Sequence, residues 1–331
     1  MAKLKDVAKL ANVSIATASR ILNNDQTLSV TKETREAVLN AAEELHYAVK
    51  QKNSKIVFAI ILWYSIDEEL SDPYYLSLRK GVENFLKAHQ VAVKRIFSDD
   101  INMFNALEDV SGIICLGKFS IEYIYRLKNV CDNLILLDMD LHPCTETCIV
   151  LDFESAVKQV VSYFHSSKIK KAGFLGGIEY IDGKPYNDPR RLYFEKYCQE
   201  FGIDYQNYIQ ESQFTREGGY QMMTNLILSH QVPEAIFAAS DRIAIGALRA
   251  LHDHHFHVPQ DISIVGFDNI ESTNFTVPPL TTVHAPAYEM GYLGAQLLYN
   301  SILNNEILPA MRIQLPCYFI ERESSKQLNK S

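Results

Sequence analysis

The sequence lacks any run of about 18 apolar residues, the length that a membrane-spanning helix needs. It also lacks the charged-then-apolar leader of an exported chain. Hydrophobic residues make up 47% of the 331 positions and charged residues 22%, which indicates a globular rather than a disordered protein. We therefore expect a cytoplasmic protein, and its length favours two or three folded units.

Patterns typical of metal sites are scarce. The six cysteines show no two-pair metal spacing; Cys144 and Cys148 lie four apart, and a metal or redox role competes there with reduced structural thiols, which we favour. Histidines cluster at 252, 254, 255 and 257. Zinc binding is one interpretation, but no cysteine and few acids accompany them, which favours a solvated helix end and loop. We expect no metal and no cofactor.

Motifs for nucleotide binding and catalysis are missing as well. Gly176 and Gly177 follow a predicted strand, but neither GxGxxG nor GxxxxGK[ST] is present, so we favour a turn. No set of nucleophile, base and acid is apparent. We therefore expect a protein that is not an enzyme.

The first 47 residues carry the most informative pattern in the chain. Apolar residues at helical spacing predict a first helix from Leu4, and Asn12–Val13 makes a tight break after it. Ser14 can cap a second helix, Ile15 to Leu22, and Thr31 can cap a third. Such a pair of helices forms a helix-turn-helix, whose second helix lies in the DNA major groove. A fragment of an ordinary helical bundle is the alternative, but the turn, the caps and the small polar face of the second helix agree with DNA binding.

The charge distribution also indicates where DNA binds. Residues 1–55 hold nine Lys and Arg against six Asp and Glu, a net charge of +3. The whole chain holds 32 against 40, which leaves 23 against 34, a net charge of −11, for the rest. A basic head on an acidic body predicts that nucleic acid contacts the head only.

Beyond a short polar linker at 48–55, apolar runs alternate with helical patterns. This alternation predicts βαβ units in parallel, doubly wound sheets, and the length suits two lobes. The predicted strands are Ile56–Leu62, Val91–Phe97, Gly112–Leu116, Leu134–Leu137, Ala172–Leu175, Ala235–Ala238 and Ser263–Phe267. The predicted helices are Tyr75–His89, Ile121–Leu127, Glu154–His165, Arg191–Phe201, Gly218–Ser229 and Ile243–His252.

Polar and aromatic residues follow several of these strands, where open α/β sheets bind their ligands. Tyr74 and Tyr75 follow the first strand, and Asp138, Asp241 and Asp268 follow later ones. Aromatic rings stack on the C–H faces of sugars and carboxylates accept hydrogen bonds from hydroxyls, so the set favours sugar binding. Each residue alone has a plainer interpretation: Asp241 as a helix cap, the tyrosines as core, or the acids as acid/base groups.

At this point the sequence resembles the lactose/galactose repressor family of bacterial transcription regulators, over about residues 4–323. The matching motifs are DVAKLANVSIATASRILN, TKETREAVLNAAEELHY, IFAASDRIAIGALRA, DISIVGFDNI and VPPLTTV. Within the family, SDPYYLSLRKGVE and KPYNDPRRLYFEKY are most similar to the repressor of evolved β-galactosidase and to galactose-operon repressors of Gram-positive bacteria.

The resemblance implies a homodimer that binds operator DNA, with a helix-turn-helix head at 1–47 and a body at 56–331 similar to two-lobed periplasmic sugar-binding proteins. It places the first lobe at about 56–153 and 286–307, and the second at about 154–285 and 308–323. The tail ERESSKQLNKS has no leucine heptad, which favours a dimer over a coiled-coil tetramer. The linker lacks the wedge Leu of the family's hinge helix, with Val49 its only apolar candidate, so we expect weak DNA bending.

The resemblance also assigns site residues. The implied DNA contacts are Ser14, Ile15, Ala16, Thr17, Ser19, Arg20 and Asn23. Ile15 and Ala16 can contact thymine methyls but cannot form bidentate hydrogen bonds. The implied effector contacts are Tyr74, Tyr75, Asp138, Arg190, Phe214, Asp241 and Asp268. Arg191 leaves the register at Arg190 open by one residue.

We expect a sugar-responsive repressor of galactose or β-galactoside utilisation genes, released from its operator when galactose or a small galactoside binds between the lobes. Two alternatives remain: a carbohydrate-active enzyme, which would need a turnover site, and a non-regulatory sugar-binding transport protein, which would need an export leader. The sequence leaves activation instead of repression open.

Overall fold

The computed structural model describes residues 3–22, 28–45, 47, 56–98, 100 and 103–326. The chain forms two compact units, Met1–Ile56 and Val57–Ser331. Asn23, the predicted linker with Val49, and the last residues of the tail lie outside the described residues. In the described part, no helix is both long and apolar enough to cross a membrane.

The first unit contains the three predicted helices, α1 (Leu4–Leu10), α2 (Ile15–Leu22) and α3 (Lys32–Glu44). Both predicted caps are present, since the Thr17 N–H donates to the Ser14 hydroxyl at 3.0 Å and the Thr34 N–H donates to Thr31 at 3.3 Å. The apolar stripes of the three helices meet in one core. Its buried members are Val7, Ala8, Ala18, Ile21, Val38, Ala41 and Ala42.

The second unit contains two six-stranded sheets, one in each lobe, and a separate two-stranded hairpin. The first sheet has the order β13-β5-β4-β3-β1-β2 and is parallel throughout. Its strands are β1 (Val57–Leu62), β2 (Ala92–Ile96), β3 (Gly112–Leu116), β4 (Leu134–Leu137), β5 (Thr147–Leu151) and β13 (Arg312–Leu315). Burial on both faces explains the near-continuous apolar runs of its central strands.

The second sheet has the order β14-β12-β11-β10-β6-β9, with only β14 antiparallel to its neighbour. Its strands are β6 (Ala172–Gly177), β9 (Ile209–Ser212), β10 (Ala235–Ala238), β11 (Ser263–Asp268), β12 (Thr281–His284) and β14 (Tyr318–Ile320). The hairpin pairs β7 (Glu179–Ile181) with β8 (Lys184–Tyr186) directly after β6.

Helices cover the sheets, as a doubly wound fold requires. They are α4 (Ile66–Ser71), α5 (Pro73–Ala88), α6 (Met103–Ala106), α7 (Ile121–Lys128), α8 (Phe153–Ser166), α9 (Pro189–Phe201), α10 (Arg216–Leu228), α11 (Asp241–Asp253) and α12 (Ala287–Leu303), with a 3₁₀ helix at Glu271–Phe275. The predicted fold class and each predicted strand and helix are therefore confirmed, with ends shifted by a few residues. The sequence analysis missed the half-buried strands β9, β13 and β14, the hairpin strands β7 and β8, the buried strands β5 and β12, and the helices α4, α6 and α12.

The chain passes between the lobes three times, after β5, after β12 and after β13. One predicted lobe boundary is wrong. Residues 308–323 were assigned to the second lobe, but Arg312–Leu315 pairs in parallel with β5 of the first sheet. Only the following strand, Tyr318–Ile320, joins the second sheet, because its partner there is β12.

Gly291 sets the spacing between α12 and α5, which pack together in the first lobe. A Cβ atom at this position would lie 2.0 Å from the Leu78 carbonyl oxygen. We expect Gly291→Ala to lower the free energy of unfolding by about 1–3 kcal/mol, because two backbones must move apart. Urea denaturation measures this. The exposed Gln296→Ala on the same helix is the control, with a change of about 0.5 kcal/mol or less, and equal stability of the two variants would contradict the prediction.

Candidate effector-binding cleft

A cavity of about 800 Å³ lies between the two lobes, where the carboxyl ends of strands from both sheets face each other. Of the seven predicted effector contacts, six line it: Tyr74, Tyr75, Asp138, Arg190, Phe214 and Asp268. The volume is within the range of about 300–1,000 Å³ typical of small-molecule sites. The structure thus brings together residues that lie up to about two hundred positions apart in the sequence.

The first-lobe wall is built around Asp138, which follows β4 in a left-handed backbone conformation with φ 64°. The hydroxyls of Tyr74 and Tyr75 donate to its two carboxylate oxygens at 3.2 and 2.7 Å. Asp72 caps α5 and Pro73 starts it, which places both tyrosines in the first turn, facing the cavity. Burial, and next the charge of Asp138, raise the pKa of each tyrosine well above its usual value, so both remain hydrogen-bond donors.

Lys118, which the sequence analysis missed, joins the two lobes. Its Nζ lies 3.4 Å from Asp138 of the first lobe and 3.2 Å from Glu179 on the hairpin of the second. The same ammonium lies 5.2 Å from the centre of the Trp63 ring and 5.5 Å from that of Tyr186. Burial alone would lower the pKa of Lys118, but the charges of Asp138 and Glu179 outweigh it and raise the pKa.

A second ion pair crosses the cleft in the same way. Arg242, near the start of α11, donates to Asp72 of the first lobe at 3.1 Å. Both Lys118 and Arg242 stand just beyond a strand end, the position that had identified the other site residues. They were missed because a single Lys or Arg after a strand is also typical of a solvated surface.

The second-lobe wall is built around Arg190. Its Nε donates to both oxygens of Asp188, at 2.9 and 3.0 Å, and its Nη1 donates to the Ala239 carbonyl at 2.6 Å. The guanidinium lies 5.2–5.3 Å from the ring centres of Phe153, Phe214 and Phe267. Among the described residues Nη2 has no hydrogen-bond acceptor, so a donor remains for a ligand. Arg191, the alternative register, instead pairs with Glu195 and Glu211 outside the cavity.

Asp268 supplies an acceptor on the same wall. It ends β11 with φ 108°, and Asn269 follows with φ 59°, although neither residue is a glycine. Such conformations cost about 1–3 kcal/mol each and persist only where the surroundings impose them. Its carboxyl group has no hydrogen-bond donor among the described residues. Burial, and next the charge of Asp241, raise the pKa of Asp268 well above its usual value.

Asp241 does not line the cavity, which contradicts its predicted contact with the effector. Its side chain is fully buried, and its carboxylate accepts hydrogen bonds from the Ile270 N–H at 2.9 Å and from the Thr282 hydroxyl at 2.6 Å. Burial raises the pKa of Asp241 to about 7, against the effect of these donors. Asp241 is not the helix cap either, because the Ser240 side chain caps α11.

The head presents the predicted DNA contacts as follows. Ser14, Ile15, Ala16 and Arg20 are exposed, and Thr17 and Ser19 are half-buried. The buried residues of α2 are Ala18 and Ile21, so the helix has one face against the core and one open. An exposed, mostly small face is what close approach to base edges requires.

A helix-turn-helix unit joined to a two-lobed unit with a central cleft defines a class of transcription regulators that combine a DNA-binding head with a periplasmic-binding-protein-like body. Comparison with known proteins agrees with this class. Residues 3–49 match the family described as bacterial regulatory proteins, lacI family, and residues 161–325 match the periplasmic binding protein-like domain.

The chain is 36% identical to the HTH-type transcriptional regulator GalR of Streptococcus thermophilus, over 94% of this chain and 96% of that protein. It is 33% identical to the HTH-type transcriptional repressor MelR of Bacillus subtilis, over 98% and 97%. Among solved structures it is similar to a complex of the transcriptional regulator CelR with cellobiose, with a TM-score of 0.72 at 23% identity over 98% of this chain and 100% of that one. The chain therefore belongs to the lacI family and is a DNA-binding transcription regulator; the last likeness supports the fold alone.

Proposed function

We propose that this protein is a cytoplasmic, dimeric repressor of galactose or β-galactoside utilisation genes, and that galactose or a small galactoside binds in the cleft and lowers its affinity for operator DNA. The protein acts by binding and catalyses no reaction. The observation that carries the proposal is the set of hydrogen-bonding groups in the cleft that have no partner among the described residues, with the Arg190 Nη2 as donor and the Asp268 carboxyl group as acceptor.

The lining suits a neutral polyhydroxylated ligand. Eight acidic side chains and four Lys or Arg side chains line the cavity. Each of these cations is paired with an acid, as in Asp138–Lys118–Glu179 and Asp188–Arg190, so the acids are in excess. Hydroxyl groups can donate to the acids and accept from the bases, while rings such as Phe214 and Tyr186 offer flat apolar faces. An anionic ligand would instead meet this excess of acidic groups at close range.

The direct test combines sugar binding and operator binding. Trp63 lines the cleft and is the only tryptophan in the sequence, so its fluorescence reports ligand binding. We expect galactose or lactose to change this fluorescence with saturation and to release the protein from its own promoter in a gel shift. A ligand at about 100 times its Kd should also stabilise the fold by about 2.7 kcal/mol. Another sugar class that bound tightly, with no response to galactosides, would overturn the effector assignment alone.

Arg20→Ala should weaken operator binding, because Arg20 is the exposed cation of α2. If Arg20 contacts a base, we expect a loss of about 1–3 kcal/mol and reduced discrimination between operator sequences. If it contacts only phosphate, the loss should be equal for all sequences and the salt slope smaller. Gel shifts at several salt concentrations distinguish the two cases. The matched control is Arg35→Ala on α3, and an unchanged operator affinity for folded Arg20→Ala would remove α2 as the reading helix.

A further inference from the structure

The turn after β11 decides where the Asp268 carboxyl group points. Asp268 and Asn269 both have positive φ, 108° and 59°, without being glycines. Asn adopts a φ near 59° readily, but a φ of 108° at Asp268 lies outside that region, so contacts from the surrounding structure must impose it. The question is which residues do so.

Asp241 contacts this turn from the side opposite the cavity. Its Oδ2 accepts from the Ile270 N–H at 2.9 Å, and its Oδ1 accepts from the Thr282 hydroxyl on the neighbouring strand β12 at 2.6 Å. Asp241 is not needed as a cap, because the Ser240 hydroxyl already accepts from the Ile243 N–H. The buried carboxylate therefore serves the turn rather than its own helix.

The space for this carboxylate is created by Gly266 on β11. A Cβ atom at position 266 would lie 2.2 Å from Asp241 Oδ1, so any side chain there would displace the carboxylate. Arg322 forms a hydrogen bond with the side chain of Asn269, the second residue of the turn. Its Nη2 donates to the Asn269 Oδ1 at 2.7 Å, while its Nη1 donates to the Leu280 carbonyl at 2.7 Å. The turn is thus held at Asn269 by Arg322 and at Ile270 by Asp241.

We infer that Asp241 is a positioning residue for effector recognition: it clamps the Asp268–Asn269 turn through the Ile270 N–H and Thr282, and so directs the Asp268 carboxyl group into the cleft. This inference rests on the proposed function, in which Asp268 accepts from a sugar hydroxyl. Asp241 never touches the ligand, and its effect on sugar affinity passes through Asp268.

The test compares two threonines that are adjacent on β12 and equally buried. Thr282 donates to Asp241, whereas the Thr281 hydroxyl bonds Ser325 and accepts from the Arg322 N–H. We expect Thr282→Val to weaken galactose or lactose binding about 5- to 10-fold, measured by Trp63 fluorescence. Thr281→Val should change it by about twofold or less, with a comparable loss of thermal stability. Equal affinities of the two variants would overturn the inference.

A double-mutant cycle separates positioning from general damage. If Asp241 acts through Asp268, adding Thr282→Val to the Asp268→Asn variant should have almost no further effect on sugar affinity. Effects that add in full would assign Thr282 and Asp241 to overall stability and overturn the positioning role.

A third measurement needs no sugar, so it stays decisive even if the proposed effector is wrong. We expect a crystal structure of ligand-free Asp241→Ala to show Asp268 without its positive φ, because the Ile270 N–H has lost its side-chain acceptor. Retention of the φ of 108° at Asp268 would overturn the inference. Absence of any galactoside response in the parent chain would count against the proposed function only.

Discussion

Asp268→Asn is expected to weaken sugar binding about 10- to 100-fold, because an amide NH2 donor replaces one of the two oxygens that can accept from ligand hydroxyls, a loss of about 1–3 kcal/mol. The side chain keeps its size, and the turn beneath it is held through Asp241, so the fold should persist. Fluorescence of Trp63 measures the sugar affinity of the variant and of the parent chain.

Operator affinity is the internal control for this variant. Asp268 belongs to the second unit, so a gel shift without sugar should show operator affinity within about twofold of the parent. With sugar, Asp268→Asn should stay on the operator at concentrations that release the parent chain. Release at the same concentration would show that Asp268 does not contact the effector.

Arg190→Met should have two large effects. The first is loss of sugar binding, since the cleft loses its buried donor. The second is a decrease of about 3–5 kcal/mol in the free energy of unfolding, because Asp188 is left buried and without its cation. Urea denaturation measures the second effect and fluorescence the first.

Two variants make the Arg190 prediction specific. Arg191→Met removes a half-exposed cation from the adjacent position and should cost about 1 kcal/mol or less, with sugar binding intact. Adding Asp188→Asn to Arg190→Met should recover part of the stability, because the unpaired charge is gone, but none of the sugar binding. An Arg190→Met protein as stable as the Arg191→Met one would contradict the buried ion pair.

Local signals in the sequence were sufficient for the head helices and for the central strands of both sheets, but not for β5, β12 or α12. The three head helices followed from apolar spacing and from the caps Ser14 and Thr31, which form the hydrogen bonds that their side chains allow. Central strands such as β3 and β4 followed from short apolar runs, because strands buried on both faces tolerate little else. Position at a strand end then identified Asp138 and Asp268 as cavity residues, because parallel strands end at the same edge of a sheet. Tyr74 and Tyr75 reach the same edge at the start of α5, one short helix after β1.

The tertiary structure decides which partners a residue contacts when it lies beyond the end of a strand. Asp241 and Arg242 are neighbours at the start of one helix, yet Asp241 turns inward to the Ile270 N–H and Arg242 turns to Asp72 across the cleft. Lys118 became a site residue only because the hairpin after β6 brings Glu179 to it from the other lobe. Arg312–Leu315 joined the first sheet because β5 offered a parallel partner there. Partners so distant in the chain leave no periodic pattern near either residue. Composition and spacing therefore determine the head helices and most central strands of this protein, while its site depends on which strand ends the packing of the two sheets brings together.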